Sequence, residues 1–428
     1  MCIRLAAFAV CIVAFAVAWP ATAADFSVPK RTLSLDDAFT RVAESHPELR
    51  LFGARSDVLA AERDRAALRP ALVAGATVEN AFGSGEAKGL QGAELSLTLA
   101  SVLERGGKLD ARRTLAQSRI DALAVERESR RLDLLAEVAR RYLAIVAVYE
   151  QRKIAQLDIA QRQRMVAGAR QRLKAGASPV SVVLTAQAAL ARAELDSARA
   201  EQRLAAARQN LAALWGERNP DFNVVVRDSL QLPAIEDFTV LSELIEKTPE
   251  LAQFTDEQRI REARLQLARS SATADLDWQI GVRRFQTAED FGLIGSVSLP
   301  LGSRTRSQPE IRIAEAELTS LEIEREAKGL ALYSTLAEAH GRYRVAQVEV
   351  SQLQSYVLPK LAQAEAAAER AYLAGAISYL EWAQLQSDRT AARKQQLDSA
   401  LDAQRALIEI QRLTGQAFVV TTEQGTTP

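Results

Sequence analysis

The chain has 428 residues, with 54 basic and 54 acidic side chains, so its formal charge is zero. A nucleic-acid binder would carry a basic excess, and none is present. Both cysteines, Cys2 and Cys11, sit at the N-terminal end, which excludes a disulfide scaffold and a cysteine-rich metal site from the rest of the chain. Only 20 glycines and 12 prolines punctuate a sequence rich in Ala, Leu, Glu, Gln and Arg. That composition predicts long helices.

The first segment reads as an export signal over residues 1–23. Arg4 precedes the apolar run Leu5 to Trp19, then Pro20 and the small-residue site Ala21-Thr22-Ala23. The run is too short for a bilayer and suits a signal-peptide core. No later segment is apolar enough to cross a membrane as a helix, so any membrane contact falls to strands or to the surface.

The remaining chain is one unit written twice. His46-Pro47-Glu48-Leu49 returns as Thr248-Pro249-Glu250-Leu251, and Leu95 to Leu99 returns as Val297 to Leu301, both displaced by 202 residues. Ala175-Gly176-Ala177 returns as Ala374-Gly375-Ala376, and Leu214-Trp215-Gly216 as Leu413-Thr414-Gly415, both displaced by 199. The repeats span 24–235 and 236–428. In the first, a helix near Ser34–Leu68 leads to strands over 71–82 and 92–101, a long helix over 109–174 and a helix over 180–215. In the second, a helix over 238–269 leads to strands over 275–285 and 291–301, a long helix over 310–373 bent at Pro359, and a helix over 378–414. The tail Thr421–Pro428 reads as mobile. A proline-free helix over 109–174 would reach about 100 Å, beyond any ordinary domain, and must bury a stripe on neighbours.

The strand segments alternate apolar and polar residues. Leu95, Leu97 and Leu99 oppose Glu94, Ser96 and Thr98; Leu276, Trp278, Ile280 and Val282 oppose Asp275, Asp277, Gln279 and Arg283. Period-two segments of this length fit transmembrane barrel strands, or equally two soluble hairpins packed on a core. On the barrel reading, Phe82, Trp278, Phe285 and Phe291 are aromatic-girdle candidates. Four strands cannot close a barrel, and open edges are intolerable in lipid, so several chains must then share one barrel.

Enzymatic signatures are missing. The sequence has no G-x-S-x-G, no phosphate-binding glycine loop and no H-E-x-x-H. His46 and His340 stand alone and Met165 is the one methionine after the signal, so no soft metal site is expected and no cofactor is called for.

The duplicated strand–strand–long-helix unit, Pro47-Glu48-Leu49, Ser298-Leu299-Pro300-Leu301 and Tyr372-Leu373-Ala374-Gly375 together resemble the TolC-type outer-membrane factors, from about Leu33 to Gly415. Leu103-Glu104-Arg105-Gly106-Gly107-Lys108 with Arg112 and Arg113 is similar to the cobalt–zinc–cadmium resistance branch. The resemblance implies an α+β membrane protein and a homotrimer. Each chain would lend four strands to a shared β-barrel in the outer membrane of a Gram-negative bacterium. A long α-helical coiled-coil barrel would extend into the periplasm. The implied partners are a periplasmic adaptor of the membrane-fusion type and a proton-driven inner-membrane RND pump, with outer-membrane lipid around the barrel. The chain would then be a passive conduit for heavy-metal cations. A channel for drugs or for type I secretion is the alternative within the family, and a periplasmic coiled-coil adaptor or scaffold is the alternative outside it.

The same resemblance implies site residues. The turns at Gly176 and Gly375 would form the periplasmic tip. Glu381 falls where the family rings its aperture with acid, while the next such position carries Gln384. By residue type alone, Glu381 equally suits a solvated first helical turn. Tyr372 matches the family's latch tyrosine, but Val182, beside Ser181, replaces its acidic partner and Ile377 stands at the latch arginine position, so packing by Tyr379 and Trp382 is expected instead. Pro359 is a hinge candidate.

Overall fold

A computed structural model describes residues 31–226 and 230–418; the predicted signal and the tail Thr421–Pro428 lie outside the described residues. The first repeat contains β1 (Arg31–Leu33), α1 (Leu35–Ser45), α2 (Pro47–Ala66), β2 (Val73–Glu79), β3 (Glu94–Leu103), α3 (Lys108–Lys174), α4 (Val180–Ala212) and β4 (Phe222–Val224). The second contains α5 (Phe238–Ile245), α6 (Pro249–Ser270), β5 (Leu276–Phe285), β6 (Asp290–Ser298), α7 (Ser303–Gln352), a π-helical turn at Leu353–Val357, α8 (Leu358–Leu373) and α9 (Tyr379–Thr414).

The helix predicted to open each repeat is two helices, because a residue before proline avoids the α region. His46 and Thr248 take ψ of 127° and 149°, and Pro47 and Pro249 start α2 and α6, where their missing N–H costs nothing. The repeated Pro-Glu-Leu is thus a helix start. Its glutamates pair with distant arginines, Glu48 with Arg130 on α3 and Glu250 with Arg412 on α9 at 2.7 Å.

Four strands form one antiparallel sheet in the order β2-β3-β5-β6. Helices α2, α3, α6 and α7 pack side by side in the same order. In both layers the first repeat supplies one half and the second the other; among the described residues β2 and β6 have no strand on their outer sides, while α7 also packs on α9. Beyond this layer α3 pairs with α4, α8 pairs with α9, and α9 crosses onto α3. Helix α3 runs 67 residues without interruption, about 100 Å. Its counterpart starts at Ser303, upstream of the predicted residue 310, and holds Pro309 inside. The break lies at Leu353–Val357, just before Pro359, which is at the start of α8. Pro359 has no N–H to give the preceding turn and its ring crowds the carbonyl four residues back; the backbone widens by one π turn there.

The apolar core gathers at mid-length. In the first repeat Leu33, Val42, Tyr142, Ile145, Leu211 and Phe222 cluster around the parallel β1–β4 pair. In the second, Leu241, Leu336, Tyr343, Leu407 and Ile410 do the same without a strand pair. The buried tyrosines of these two clusters occupy matching places and each hydroxyl donates to main chain. Tyr142 reaches the carbonyls of Leu33 at 3.2 Å and Val225 at 3.0 Å, and Tyr343 that of Pro233. Burial raises the Tyr343 pKa to about 12, so it stays a neutral donor.

The Glu104–Lys108 motif is the turn from β3 into α3. Gly106 and Gly107 take φ of +71° and +76°, and a Cβ on Gly106 would lie 2.6 Å from the Thr273 side chain. Lys108 Nζ meets Asp275 at 2.7 Å, the Arg105 N–H donates to the same carboxylate at 3.0 Å, and Arg112 clasps Glu104. The motif therefore pins the two repeats together where sheet meets helices. Gly106→Ala should cost roughly 1–3 kcal/mol, since it adds left-handed strain to a clash. Thermal unfolding in detergent should show a lower midpoint for it than for the wild type, with a smaller drop for Gly107→Ala, which meets open space.

Charge pairs also set the acid limit. Burial pushes the Glu409 carboxyl up, but the hydrogen bonds and charges of Arg412 and Arg140 outweigh it and hold it below its ordinary 4.5. The Arg112 hydrogen bond likewise depresses Glu104. A carboxylate depressed on folding stabilises fully above its unfolded pKa and loses that stabilisation as pH falls through the folded one. The unfolding midpoint should therefore hold from neutral pH down to about 5 and fall below about 4.5. Arg412→Met should blunt the fall in a pH series of melting curves.

Candidate functional site at the hairpin turns and the sheet

Both α-helical hairpins end in the same turn. The Gly176 N–H donates to the Leu173 carbonyl at 3.0 Å and the Ala177 N–H to that of Arg172 at 2.9 Å. Gly375 and Ala376 repeat the pattern on Tyr372 at 3.0 Å and Ala371 at 2.8 Å. Gly176 and Gly375 hold φ of +68° and +85°, the left-handed residue such helix ends require.

Arg172 joins the two hairpins. Its guanidinium donates to the carbonyls of Tyr372 and, at 3.3 Å, Ala177, and lies 4.9 Å from the Tyr372 ring centre. An arginine does bridge the hairpins, then, but it comes from the first repeat, while Ile377 sits partly buried in the apolar cluster. Sequence reading missed it because a basic residue in a last helical turn ordinarily just complements the helix dipole. Tyr372, Tyr379 and Trp382 pack together with Met165, Ala169 and Val183, and Tyr372 and Trp382 stand 5.1 Å apart.

Higher up, α3 and α9 share a buried polar clasp. Asp158 accepts from Gln386 Nε2 and Thr390 Oγ1, both at 3.1 Å, and from Arg162 Nε at 2.9 Å. Asp158, Met165 and Arg172 recur every seven residues, so one stripe of α3 meets the second-repeat hairpin. That heptad is the sequence signal that could have revealed both polar contacts.

Glu381 caps its own helix. The Ser378 N–H donates to Glu381 Oε2 at 2.7 Å and the Glu381 N–H donates to Ser378 Oγ at 3.3 Å. The Ser378 hydrogen bonds hold the carboxyl below its ordinary range, and the residue is exposed. Gln384 is exposed too and donates to Asp388 at 2.8 Å. Pro359 lies far from this group, about 24 Å up the helix from Gly375.

In the sheet, Leu95, Leu97, Leu99, Trp278, Ile280, Val282, Phe291 and Leu293 share one face. The other face carries Ser96, Thr98, Gln279 and Arg283, with Arg283 bonded to Ser96 at 2.8 Å and to Glu79 and Glu94 at 2.9 Å. Two girdle candidates need correction. Phe285 has the parity of Arg283 and stands on the polar face, opposite Asp290. Phe82 lies beyond β2 in the connecting loop, at φ +58°, because β2 ends at Glu79. Trp278 and Phe291 stay on the apolar face near opposite ends of the β5–β6 pair, about 20 Å apart along the strand.

Among the described residues no group of three or more His, Cys, Asp or Glu could hold a metal ion. His46 Nδ1 accepts the Glu48 N–H, and the His340 ring lies against Phe238. No described helix is long and apolar enough to cross a membrane.

An amphipathic four-stranded sheet with open edges, set on a four-helix layer and two long hairpins, is the fold of one protomer of an outer-membrane channel. Residues 41–217, which lie within the first repeat, match the family model of the outer membrane efflux proteins. The chain is 29% identical, over 73% of its own length and 75% of the relative's, to the cobalt-zinc-cadmium resistance protein CzcC of Cupriavidus metallidurans. It superposes on CusC with a TM-score of 0.73 at 20% identity, covering 90% of this chain and 92% of that one. The outer-membrane channel OprN gives 0.73 at 19% identity, with 90% of each chain covered. CusC and OprN are described as channels, and the likeness to them shows that this chain shares their fold.

Removing the carboxylate of the clasp should be costly. Asp158→Ala leaves Arg162 and the buried Gln386 amide without their acceptor, worth about 3 kcal/mol. Asp158→Asn keeps an acceptor oxygen and should lose less. Denaturant unfolding followed by tryptophan fluorescence would rank them, and equal stabilities would show that the clasp carries no load.

Proposed function

We propose that the chain is one of three identical protomers of a passive outer-membrane export channel. Its cargo is heavy-metal cations, handed over by a periplasmic adaptor and an inner-membrane RND pump. The observation that carries the channel reading is the sheet: one face apolar, one polar, and β2 and β6 both unpaired on their outer sides. Such edges cannot face hydrocarbon, and three copies give twelve strands in a closed barrel. Likeness to CzcC supports the metal cargo. The chain supplies no chemistry to the ion; selection belongs to the partners, and this protein supplies the path.

At the periplasmic end, three Glu381 carboxylates around the axis attract cations, and Arg172 holds the two hairpins of each chain together. The purified protein in planar bilayers should form trimeric channels that prefer cations. Glu381→Gln retains the helix cap and removes the charge, so it should move the reversal potential in a salt gradient toward zero; an unmoved potential counts against the ring. Arg172→Ala should raise mean conductance, and a wild-type value would remove Arg172 from the aperture. For cargo, a deletion strain should become sensitive to zinc, cobalt or cadmium and recover on complementation. Sensitivity to drugs alone would replace the metal reading with drug export.

A further inference from the structure

The free charges of the sheet lie unevenly between its two ends. At the helix-side end, three of the four strands meet the helices through an exposed leucine and an exposed arginine. Arg69 is three residues before Leu72 at the start of β2, Arg105 is two after Leu103 at the end of β3, and Arg304 and Arg306 follow Leu301 after β6. None of these four guanidinium groups has an ion-pair partner among the described residues. Two of the three nearby carboxylates are engaged, and the third, Asp277 on β5, takes only the Ser298 hydroxyl at 3.4 Å. Asp275 is held by Lys108 and the Arg105 N–H, and Glu104 by Arg112. Four guanidinium groups against the one free carboxylate of Asp277 leave the rim with a net positive charge beside apolar side chains, Leu301 at 83% exposure and Leu72 at 64%.

The far end is built otherwise. Arg283 is spent on Glu79 and Glu94, Arg284 lies 5.8 Å from the Phe291 ring centre, and the β5–β6 turn exposes Glu289 and Asp290 without a cation partner among the described residues. An arginine beside exposed leucine matches the boundary between acyl chains and phosphates. Its stem lies on apolar surface while its planar fork binds phosphate oxygens two at a time.

We propose that the helix-side rim of the sheet is a binding surface for anionic phospholipid headgroups, with Arg69, Arg105, Arg304 and Arg306 as its phosphate ligands. The proposal rests on the membrane-spanning reading of the sheet. It adds to it a lipid requirement on one leaflet, the one facing the helices, and gives the chain a charge-defined depth in the bilayer.

The test uses the full-length channel and a variant carrying R69Q, R105Q, R304Q and R306Q. Each is reconstituted into vesicles of phosphatidylcholine alone or mixed with phosphatidylglycerol, re-extracted in mild detergent, and examined by native mass spectrometry for retained lipid. The wild type should retain phosphatidylglycerol in preference to phosphatidylcholine, and the variant should retain roughly fivefold less or lower still. A matched set of lysine replacements should restore much of the retention, since charge survives without the fork. Excess inorganic phosphate should not displace the lipid; full displacement would make this a free-phosphate site and overturn the proposal. Conductance of the phosphatidylcholine vesicles is read in parallel. Normal conductance with equal lipid retention by both proteins overturns the lipid surface and leaves the channel standing, whereas no conductance in any vesicle overturns both.

Discussion

An unpaired strand edge cannot lie in hydrocarbon, and the rest of this structure follows from that constraint. Each backbone N–H and C=O left open there costs several kcal/mol, so a spanning sheet must close on itself. This chain brings four strands, the longest of 10 residues, which at about 3.3 Å per residue and a barrel tilt matches an apolar band of about 25 Å. Four are too few to close. The helices repeat the order beneath, for α2, α3, α6 and α7 follow one another as β2, β3, β5 and β6 do. In the proposed trimer, a copy that completes the sheet would therefore also extend the helix layer, and barrel and tunnel would close together.

Duplication supplies this economy, and the departures from it are informative. Matching positions carry the same device where the task is shared: prolines opening α2 and α6, tyrosines tethering the long helices to main chain, glycines ending both hairpins. They differ where the second copy must bend. Helix α3 is continuous, whereas its counterpart is broken by the π turn before Pro359. The turn from sheet to helix needs Gly106 and Gly107 in the first repeat, where it docks on Thr273, and only Gly302 in the second.

Much of the fold was legible because period and punctuation carry it. The alternation around Leu95–Leu99 and Leu276–Val282 gives the faces of β3 and β5, and the glycines at 176 and 375 give the hairpin turns. Less was legible where structure depends on register or on distant partners. Phe285 looked like a girdle aromatic by type, but parity counted from Arg283 puts it on the polar face. The helix breaks at His46 and Thr248 follow from proline sterics that a long apolar stripe conceals. For Arg172 the heptad shared with Asp158 and Met165 marks the stripe, but not the partner, which is the carbonyl of Tyr372 and has no side-chain signature.

In the proposed channel, Glu381 would satisfy its helix and act on an ion with the same charge. As a capping residue it gives one oxygen to the Ser378 N–H, and that bond favours the ionised form. A carboxylate crowded by its symmetry mates would otherwise drift toward protonation as like charges approach. The cap opposes that drift, because protonating Glu381 would weaken the start of α9 as well as the ring. The second oxygen has no partner among the described residues, and the side chain is exposed. On the proposed ring, fold and conduction would draw on the same negative charge, and the helix that positions it is also what keeps it ionised.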